Sequence, residues 1–363
     1  MIHSQFLVSR SNLFHNFSFF KSKLYQSTKL LVMVKANAYG HGDIECSKLM
    51  EEFGADYLGV ALPEEGIKLK NNGINLPIII LSPGIDNFAE ILKWDLEPSI
   101  TDFEVLNSFI RTIDNLNPGS CNIHIKLDSG MNRLGFKTDQ LEIITDFINR
   151  YPQVRVKSLF SHLAAAEDQK HDEFTLGQIN LFSEMCDQIE KKISYRPFRH
   201  ILNSTGTERF PSAQMDMVRL GVGIYGTSFV DSRSLKAAGS LRAPIVHIHT
   251  VKDGTIGYGR YGVAGSEGKS IAVIPLGYAD GIDRHLGRGA ASFLLNGHRV
   301  PTIGNICMDC TLLDITGVEA KIGDPVTLFG EDPTVYERAE ILGTITYEIY
   351  TSVHPRVARI VVP

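Results

Sequence analysis

A lysine follows an apolar run near the start of the chain. The segment LLVMVK (residues 30–35) ends in Lys35, and the small, turn-prone residues ANAYGHG follow at once, with Tyr39 among them. From position alone, a lysine at the end of a strand is most often a solvated charge. Burial in a partly dry pocket disfavours the ammonium form, and the resulting amine can form a Schiff base with a carbonyl compound. The segment therefore raises the hypothesis of a reactive amine.

Other polar residues also stand where apolar runs end. They are Asp128 with Arg133 in the next loop, Ser161 with His162, Asn203 with Ser204, and Arg219 with Gly221 and Val222. The backbone N–H groups of the last two could meet a phosphate, and the loops after strands seven and eight of a barrel often form phosphate sites. A phosphorylated cofactor that condenses with lysine indicates pyridoxal 5′-phosphate.

Each of these residues also has an ordinary structural explanation. His162 is compatible with a hydrogen-bonded packing residue, Arg219 with a salt-bridge partner and Ser204 with a helix cap. Tyr258, in the segment GYGRYG, could be an aromatic residue beside a glycine turn. Their joint occurrence at strand ends favours a single site over coincidence.

Short apolar runs alternate with helix-like segments up to about residue 225. A helix is predicted over residues 11–24, where apolar residues recur at three- or four-residue steps, and another over residues 44–53, with Gly54 as its cap. Eight strands are predicted, at residues 30–35, 57–61, 77–81, 97–100, 122–127, 157–161, 199–203 and 218–226. Eight βα units in about 230 residues are what a parallel (β/α)8 TIM-type barrel requires. A doubly wound open sheet is the alternative.

The pattern changes after a small, polar stretch at residues 226–244, which is interpreted as a connector. Short strands are predicted at residues 245–251, 270–278, 291–301, 310–315 and 325–330, with one helix at residues 335–342. Asn296-Gly297 indicates a hairpin turn. The chain is therefore predicted to have a barrel domain over residues 1–230 and a mostly-β domain over residues 231–363, to which the first residues of the chain could pair.

Composition excludes some classes of function. The chain has 363 residues, 43% of them hydrophobic, with a net charge of −5 and no Lys/Arg run, so nucleic acid is not an expected ligand. No apolar stretch has the length of a signal peptide or membrane span, and a cytoplasmic location is expected. The five scattered cysteines indicate reduced thiols. Cys307 and Cys310 form a Cys-x-x-Cys, but a second metal-binding pair is missing, so no metal is expected.

Several motifs together resemble the alanine racemase family, which consists of fold-type III pyridoxal-phosphate enzymes. The similarity covers nearly the whole chain, and its strongest pieces are VKANAYGHG, LDSGMNRLGF, FSHLAAAED, HILNSTG, MVRLGVGIYG, GYGRYG, IPLGYADG and GNICMD. The resemblance implies interconversion of L- and D-alanine, which in bacteria supplies D-alanine for peptidoglycan. It also implies a barrel followed by a β domain.

The resemblance implies two catalytic bases. Lys35 would hold the cofactor and act on one face of the substrate α-carbon, and Tyr258 would act on the opposite face. In the family this tyrosine comes from the partner subunit, so a head-to-tail homodimer with shared sites is expected. His162 would link Tyr258 to Arg219 by hydrogen bonds.

The remaining implied roles concern the cofactor and the substrate. Arg219 would face the pyridine nitrogen, while Arg133 would contact the cofactor phenolate and the substrate carboxylate. Lys126 matches a lysine that is carbamylated in many members. Tyr39, Ser204, Gly221 and Val222 would hold the phosphate. Asn203 and His162 would also belong to the cofactor site. From the partner, Met308 would contact the substrate carboxylate and Tyr278 would narrow the entrance.

One position departs from the family pattern. Many racemases have a tyrosine just before an Arg-Val pair near the C-terminus, whereas this chain has Pro355 before Arg356-Val357. A phosphate contact would then be missing and the pocket roomier, which leaves a broader racemase that also accepts serine as an alternative. A decarboxylase of the same fold is less favoured because Arg133 and Tyr258 suit proton return. A single-domain pyridoxal-phosphate carrier would lack the β domain.

Overall fold

The computed structural model describes residues 3–363, so the first two residues of the predicted barrel domain lie outside the described part. Eight parallel strands form its largest sheet, in the order β8-β7-β6-β5-β4-β3-β2-β9. Their bounds are β2 (Lys29–Met33), β3 (Tyr57–Val60), β4 (Ile78–Ile80), β5 (Glu97–Ile100), β6 (Cys121–Lys126), β7 (Val154–Phe160), β8 (Phe198–His200) and β9 (Met217–Leu220).

The two outer strands of this sheet meet. Backbone N–H groups of Asp216 and Arg219 donate to the carbonyls of Arg199 and Leu202, at 3.1 and 3.0 Å, and so bring β9 against the segment that follows β8. The sheet therefore curls into a barrel, which confirms the predicted barrel over an open sheet.

Helices cover the barrel between its strands. They are α1 (Arg10–Lys23), α2 (Lys35–Tyr39, a left-handed turn), α3 (Asp43–Phe53), α4 (Pro63–Asn71), α5 (Phe88–Lys93), α6 (Phe103–Leu116), α7 (Leu141–Arg150), α8 (Asp172–Glu190) and α9 (Ser204–Arg209). Helix α1 begins where the Ser9 hydroxyl accepts from the N–H of Asn12, and it buries Leu13, Phe17 and Phe20. Helix α3 ends at Gly54, whose φ of 88° suits glycine. Both helices predicted in the first half are confirmed, as is the one predicted at residues 335–342.

Five of the predicted barrel strands are shorter than expected, namely β2, β3, β4, β8 and β9, and two of them, β2 and β9, adjoin predicted site residues. Strand β2 ends at Met33, so Lys35 begins the next turn instead of closing the strand. Strand β9 ends at Leu220, because the chain turns at Gly221 and Val222, whose carbonyls accept from Ile224 and Tyr225. Apolar residues continue past the ends of both strands, so the apolar pattern predicted strands that are too long.

The second half of the chain is built on three antiparallel or mixed sheets. Their orders are β16-β15-β18-β10-β1-β19, β11-β14-β17 and β12-β13. The bounds are β1 (Gln5–Ser9), β10 (Gly239–Pro244), β11 (His247–Val251), β12 (Gly254–Ile256), β13 (Gly262–Ala264), β14 (Lys269–Ile274), β15 (Ser292–Leu295), β16 (His298–Pro301), β17 (Thr311–Asp314), β18 (Pro325–Phe329) and β19 (Ala358–Val362), with helices α10 (Val335–Leu342) and α11 (Thr346–Ser352). Short 3-10 turns lie at Thr138–Gln140, Gln169–His171, Pro211–Ala213, Tyr258–Arg260, Tyr278–Asp280 and Arg284–Leu286.

The connector prediction was partly wrong. Its last residues form β10, which pairs antiparallel with β1 and β18, and β1 also pairs parallel with β19. The N-terminal strand β1 therefore belongs to the six-stranded sheet of the second half. The hairpin at Asn296-Gly297 has φ values of 49° and 83°, as a two-residue turn of type I′ requires. Helix α11 and strand β19 lie outside the predicted elements.

A continuous hydrophobic core joins the two halves. Phe6, on β1, packs edge-on against His41, Phe329 and Tyr350, with ring centroids 5.0 to 6.3 Å apart. These contacts hold helix α11 and strand β18 beside the loop that follows Lys35. Among residues 3–363, no helix combines the length and apolar character needed to cross a membrane.

Candidate active site

A cavity of about 550 Å³ lies at the carboxyl ends of the barrel strands. This is the face on which TIM-barrel enzymes carry their active sites. Ten of the residues singled out from the sequence line it, namely Lys35, Tyr39, Lys126, Arg133, His162, Asn203, Ser204, Arg219, Gly221 and Val222. The barrel thus brings together residues that are up to 187 positions apart in the chain, from Lys35 to Val222.

The turn after Lys35 is left-handed. Residues 36–39 all have φ between 52° and 56°, and the N–H of Ala38 donates to the carbonyl of Val34 at 2.9 Å. Such a conformation costs roughly 1–2 kcal/mol for each residue that is not glycine. The carboxylate of Glu65 offsets part of this cost, because it accepts from the N–H groups of Ala36 and Ala61, both at 2.7 Å. The strained turn fixes both Lys35 and Tyr39 at the cavity.

The surroundings of both lysines in the cavity act against the charged ammonium form. Burial lowers the pKa of Lys35, and the charges of Arg133 and Arg219 lower it further, while Glu65 acts in the opposite direction. Burial, followed by Arg219 and Arg133, lowers the pKa of Lys126 well below its ordinary value. The Nζ of Lys126 lies 4.8 Å from the ring centroid of Phe160. An unprotonated amine is the nucleophilic form of lysine.

Arg219 is held by neutral acceptors. Its guanidinium donates to the carbonyl of Ser161 at 2.6 Å, to Nδ1 of His162 at 3.1 Å and to Nδ1 of His200 at 2.7 Å. It donates as well to the carbonyls of His200 and Ile201. Burial lowers the pKa of Arg219 to about 9. Burial and the nearby Arg219 lower the pKa of His162 well below its ordinary range, so its ring is neutral and Nδ1 accepts.

Backbone N–H groups and hydroxyls meet at one end of the cavity. The Ser204 hydroxyl accepts from the N–H groups of Gly221 and Gly223, at 3.0 and 3.2 Å. Asn203 caps helix α9 by accepting from the N–H of Gly206, so the alternative reading of Ser204 as the cap was wrong. A Cβ built on Gly221 would lie 2.5 Å from the hydroxyl oxygen of Tyr39. Glycine therefore lets the phenol approach the Ser204 hydroxyl, which accepts both N–H groups and keeps its own proton to donate, and these two hydroxyls fit a phosphate dianion.

The cradle yields a prediction for Gly221→Ala. The added methyl group must displace the Tyr39 hydroxyl, and a lost hydrogen bond to a charged group is worth roughly 1.5–3 kcal/mol, so affinity for pyridoxal 5′-phosphate should fall roughly 10- to 100-fold. The measurement is a fluorescence titration of apoprotein with the cofactor. Gly177→Ala is the control, because a Cβ at that position in helix α8 meets nothing within 4 Å. Equal affinities for both variants would contradict the assigned cradle.

Three of the predicted site residues lie outside this cavity. Tyr258, Tyr278 and Met308 line a separate space of about 680 Å³ together with Cys307 and Cys310. Tyr258 is 73% exposed and Met308 is 54% exposed. Within one chain, the structure does not bring these side chains to Lys35.

The Cys-x-x-Cys pair forms a tight turn. The N–H of Cys307 donates to the carbonyl of Cys310 at 3.0 Å, and both thiols are free. Burial, followed by the neighbouring Cys307, raises the pKa of Cys310 to about 11. A thiol with a raised pKa is a poor nucleophile at neutral pH.

Two of the cavity-wall residues that sequence reasoning missed come from a helix that it did not predict. Tyr347 and Thr351, both on helix α11, line the cavity, and burial raises the pKa of Tyr347 to about 12. The ring of Tyr347 lies 5.9 Å from that of Tyr39. Pro355 is not among the described residues that line this cavity. The segment ITYEIYTS carries no recognisable helix signal in the sequence, and for that reason no helix was predicted there.

Comparisons with known proteins agree along the whole chain. The profile of the alanine racemase N-terminal domain matches residues 8–229, and that of the C-terminal domain matches residues 238–361. The alanine racemase of Sorangium cellulosum is 36% identical over 97% of this chain and 97% of its own length. That of Clostridium kluyveri is 35% identical over 97% of this chain and 92% of its own length.

Solved structures give the same result. The alanine racemase from D-cycloserine-producing Streptomyces lavendulae superposes with a TM-score of 0.93 at 28% identity, over 100% of this chain and 98% of its own. That of Clostridium difficile 630 superposes with a TM-score of 0.92 at 31% identity, over 98% and 95% of the two chains. The similarity thus extends through both halves of the fold and includes the strand ends that carry the cavity residues. The chain belongs to the alanine racemase family.

Proposed function

We propose that this protein interconverts L- and D-alanine with pyridoxal 5′-phosphate as its cofactor. The observation that carries the proposal is the single cavity in which the Lys35 amine faces the same space as a phosphate cradle and the buried Arg219. Lys35 would hold the aldehyde carbon, Arg219 would face the ring nitrogen, and the cradle of Tyr39, Ser204, Gly221 and Val222 would hold the phosphate. When bound in this way, the cofactor withdraws electrons from the substrate α-carbon and so acidifies its proton.

Racemisation needs two bases on opposite faces of the α-carbon, because the proton leaves one face and returns to the other. Lys35 would hold or accept the proton on its own face. Tyr258 of the partner subunit would serve the opposite face. A nearby cation favours the phenolate form of a tyrosine, and the Arg219–His162 pair would supply that influence.

The proposed assembly is a homodimer with shared sites. Within one chain Tyr258, Tyr278 and Met308 are exposed and lie away from Lys35. Exposed large aromatic and apolar side chains are typical of residues that a partner covers. In the dimer, Met308 of the partner subunit would contact the substrate carboxylate and Tyr278 of the partner subunit would narrow the entrance.

Arg133 is proposed to bind the substrate carboxylate. It lies in the loop after β6, where the carboxylate of Asp128 accepts from the N–H groups of Gly130 and Asn132, at 3.1 and 3.0 Å. This turn aims the loop over the cavity. Lys126 is proposed to be carbamylated: its neutral amine adds to carbon dioxide, an N–C bond forms and one proton is released. The carbamate anion would offset the charges of Arg219 and Arg133, which both act on Lys126.

The test combines cofactor and reaction. Reduction of purified protein with borohydride, followed by peptide mapping, should place the label on Lys35, and an unreduced sample should form D-alanine from L-alanine. Label on another residue would refute the cofactor assignment, and label on Lys35 without D-alanine would indicate a cofactor carrier. Initial rates with alanine and serine, measured side by side, show whether the enzyme is a broader racemase that also accepts serine. Pro355 favours this alternative, because many racemases have a tyrosine at that position.

Arg219→Glu should redirect the reaction. An arginine at the ring nitrogen keeps it largely unprotonated because two positive charges repel, and this weakens the ring as an electron sink. A carboxylate would favour protonation of the ring, so pyruvate formed by transamination should increase roughly 10- to 100-fold for each racemisation event. Chromatography of pyruvate and D-alanine measures this ratio, which does not depend on the fraction of enzyme molecules that are active. Arg219→Lys is the control, and an unchanged ratio in Arg219→Glu would count against the assigned role.

A further inference from the structure

A line of hydrogen bonds leads from Arg219 across the interior of the barrel. The guanidinium lies 2.7 Å from Nδ1 of His200, and Nε2 of His200 lies 2.7 Å from the hydroxyl of Ser158. That hydroxyl lies 2.6 Å from Nδ1 of His124, whose Nε2 lies 2.8 Å from a carboxylate oxygen of Glu97. The five residues stand on the five neighbouring strands β5 to β9.

The hydrogen bonds of this line have one direction. Arg219 can only donate, so Nδ1 of His200 accepts and the proton of its neutral ring lies on Nε2, which donates to Ser158. With a neutral His124 ring, the Ser158 hydroxyl donates to Nδ1 of His124, and Nε2–H of His124 donates to Glu97. His200, Ser158 and His124 thus each accept a hydrogen bond from the neighbour nearer to Arg219 and donate one to the neighbour nearer to Glu97. Aligned hydrogen bonds polarise one another in a low-dielectric interior.

The line lies in a dry part of the molecule. All five residues are between 0% and 5% exposed. Burial, followed by the charge of Arg219, lowers the pKa of His200 well below its ordinary range. Burial acts to raise the pKa of Glu97, but the hydrogen bond from His124, the charge of Lys157 and the hydrogen bond from Asn122 lower it overall. A buried cation and a buried carboxylate at opposite ends are therefore both ionised, and isolated charges at such depth would be costly.

We propose that Glu97, His124, Ser158 and His200 form a polarised relay that provides the counter-charge of Arg219 and fixes the direction in which its guanidinium donates. The four are positioning residues, since they act on the reaction only through Arg219. The consequence for catalysis rests on the function proposed above. Without the distant negative charge, the guanidinium of Arg219 would hold its proton less firmly beside the ring nitrogen that it is proposed to face, and transamination would compete better with racemisation.

The first test reads the tautomers of the two histidines. In solid-state ¹⁵N spectra of histidine-labelled holoenzyme, assigned with His124→Asn and His200→Asn variants, both rings should be neutral and protonated on Nε2 alone. A proton on Nδ1 of His200, or protons on both nitrogens of His124, would overturn the relay. This measurement requires no racemase activity, so its outcome is distinguishable from a failure of the proposed reaction.

The second test compares two serines inside the barrel. Ser99 stands opposite His124 in the strand register, and its buried hydroxyl has no hydrogen-bond partner among the described residues. Ser158→Ala should raise the ratio of pyruvate to D-alanine roughly 3- to 10-fold, as expected for one lost hydrogen bond, whereas Ser99→Ala should leave the ratio unchanged. Glu97→Gln keeps the size and an acceptor oxygen while it removes the charge, and it should raise the ratio similarly. Wild-type ratios in both Ser158→Ala and Glu97→Gln would overturn the proposal.

Discussion

Replacing Lys35 by alanine should lower the rate of alanine racemisation by at least ~10⁴-fold, because the proposed function assigns to this one residue both a general base and the covalent attachment of the cofactor. The cavity offers a second buried amine, Lys126, which the barrel fixes at the end of β6. We expect that Lys126 does not replace Lys35 as the cofactor-binding amine, since the resemblance to the family implies that Lys126 is carbamylated. The measurement is D-alanine formation, together with the mass of the borohydride-reduced protein, which should lack the cofactor.

The control is Lys93→Ala. Lys93 is an exposed residue of helix α5 that pairs with Glu90, so its removal should leave both readouts at wild-type values. Cofactor found covalently on another lysine of the Lys35→Ala variant would contradict the assignment.

Tyr258→Phe should lower racemisation by roughly 10²- to 10⁴-fold in both directions, as expected for the loss of one general acid–base group. Affinity for the cofactor should be unchanged, because Tyr258 lies outside the cavity that holds the cradle. In D₂O, the variant should still exchange the α-proton of the one enantiomer whose proton faces Lys35, without inverting it. Proton NMR of each alanine enantiomer measures both exchange and inversion.

Tyr261→Phe is the matched control for this prediction. Tyr261 lies in the same GYGRYG segment and is 56% exposed, but no role is assigned to its hydroxyl. Equal retention of racemisation in both phenylalanine variants, or equal α-proton exchange of both enantiomers by Tyr258→Phe, would show that this tyrosine is not the second base.

The barrel was predictable because its signals are local. Most of the barrel strands are short apolar runs, and the two helices predicted in this half were recognised from apolar periodicity in one and a glycine cap in the other. The second half was harder, since β1 pairs with β10 and β19, which lie more than 200 positions along the chain. Helix α11 has only seven residues and is stabilised by packing, with Tyr350 against Phe6 and His41. Such distant contacts leave no pattern in the segment itself.

The site, too, has features with a signal in the sequence and features that depend on contacts between distant segments. Lys35, His162, Asn203 and Arg219 could be placed in one cavity because parallel strands end at one edge of the barrel. The left-handed turn could not be predicted, because residues 36–39 include no glycine. The relay could not be predicted either. Whether His124 faces Ser158 depends on the register between β6 and β7, which contains an irregularity next to His124.

The central claim is that Lys35 and Tyr258 serve one substrate from two different subunits. Its most direct test mixes the inactive Lys35→Ala and Tyr258→Phe variants under conditions that exchange subunits. A mixed dimer then has one site with both residues intact and one site with neither, so an equal mixture should recover about one quarter of the wild-type activity. A mixture that stays as inactive as its parents, although mass spectrometry shows mixed dimers, would contradict the account.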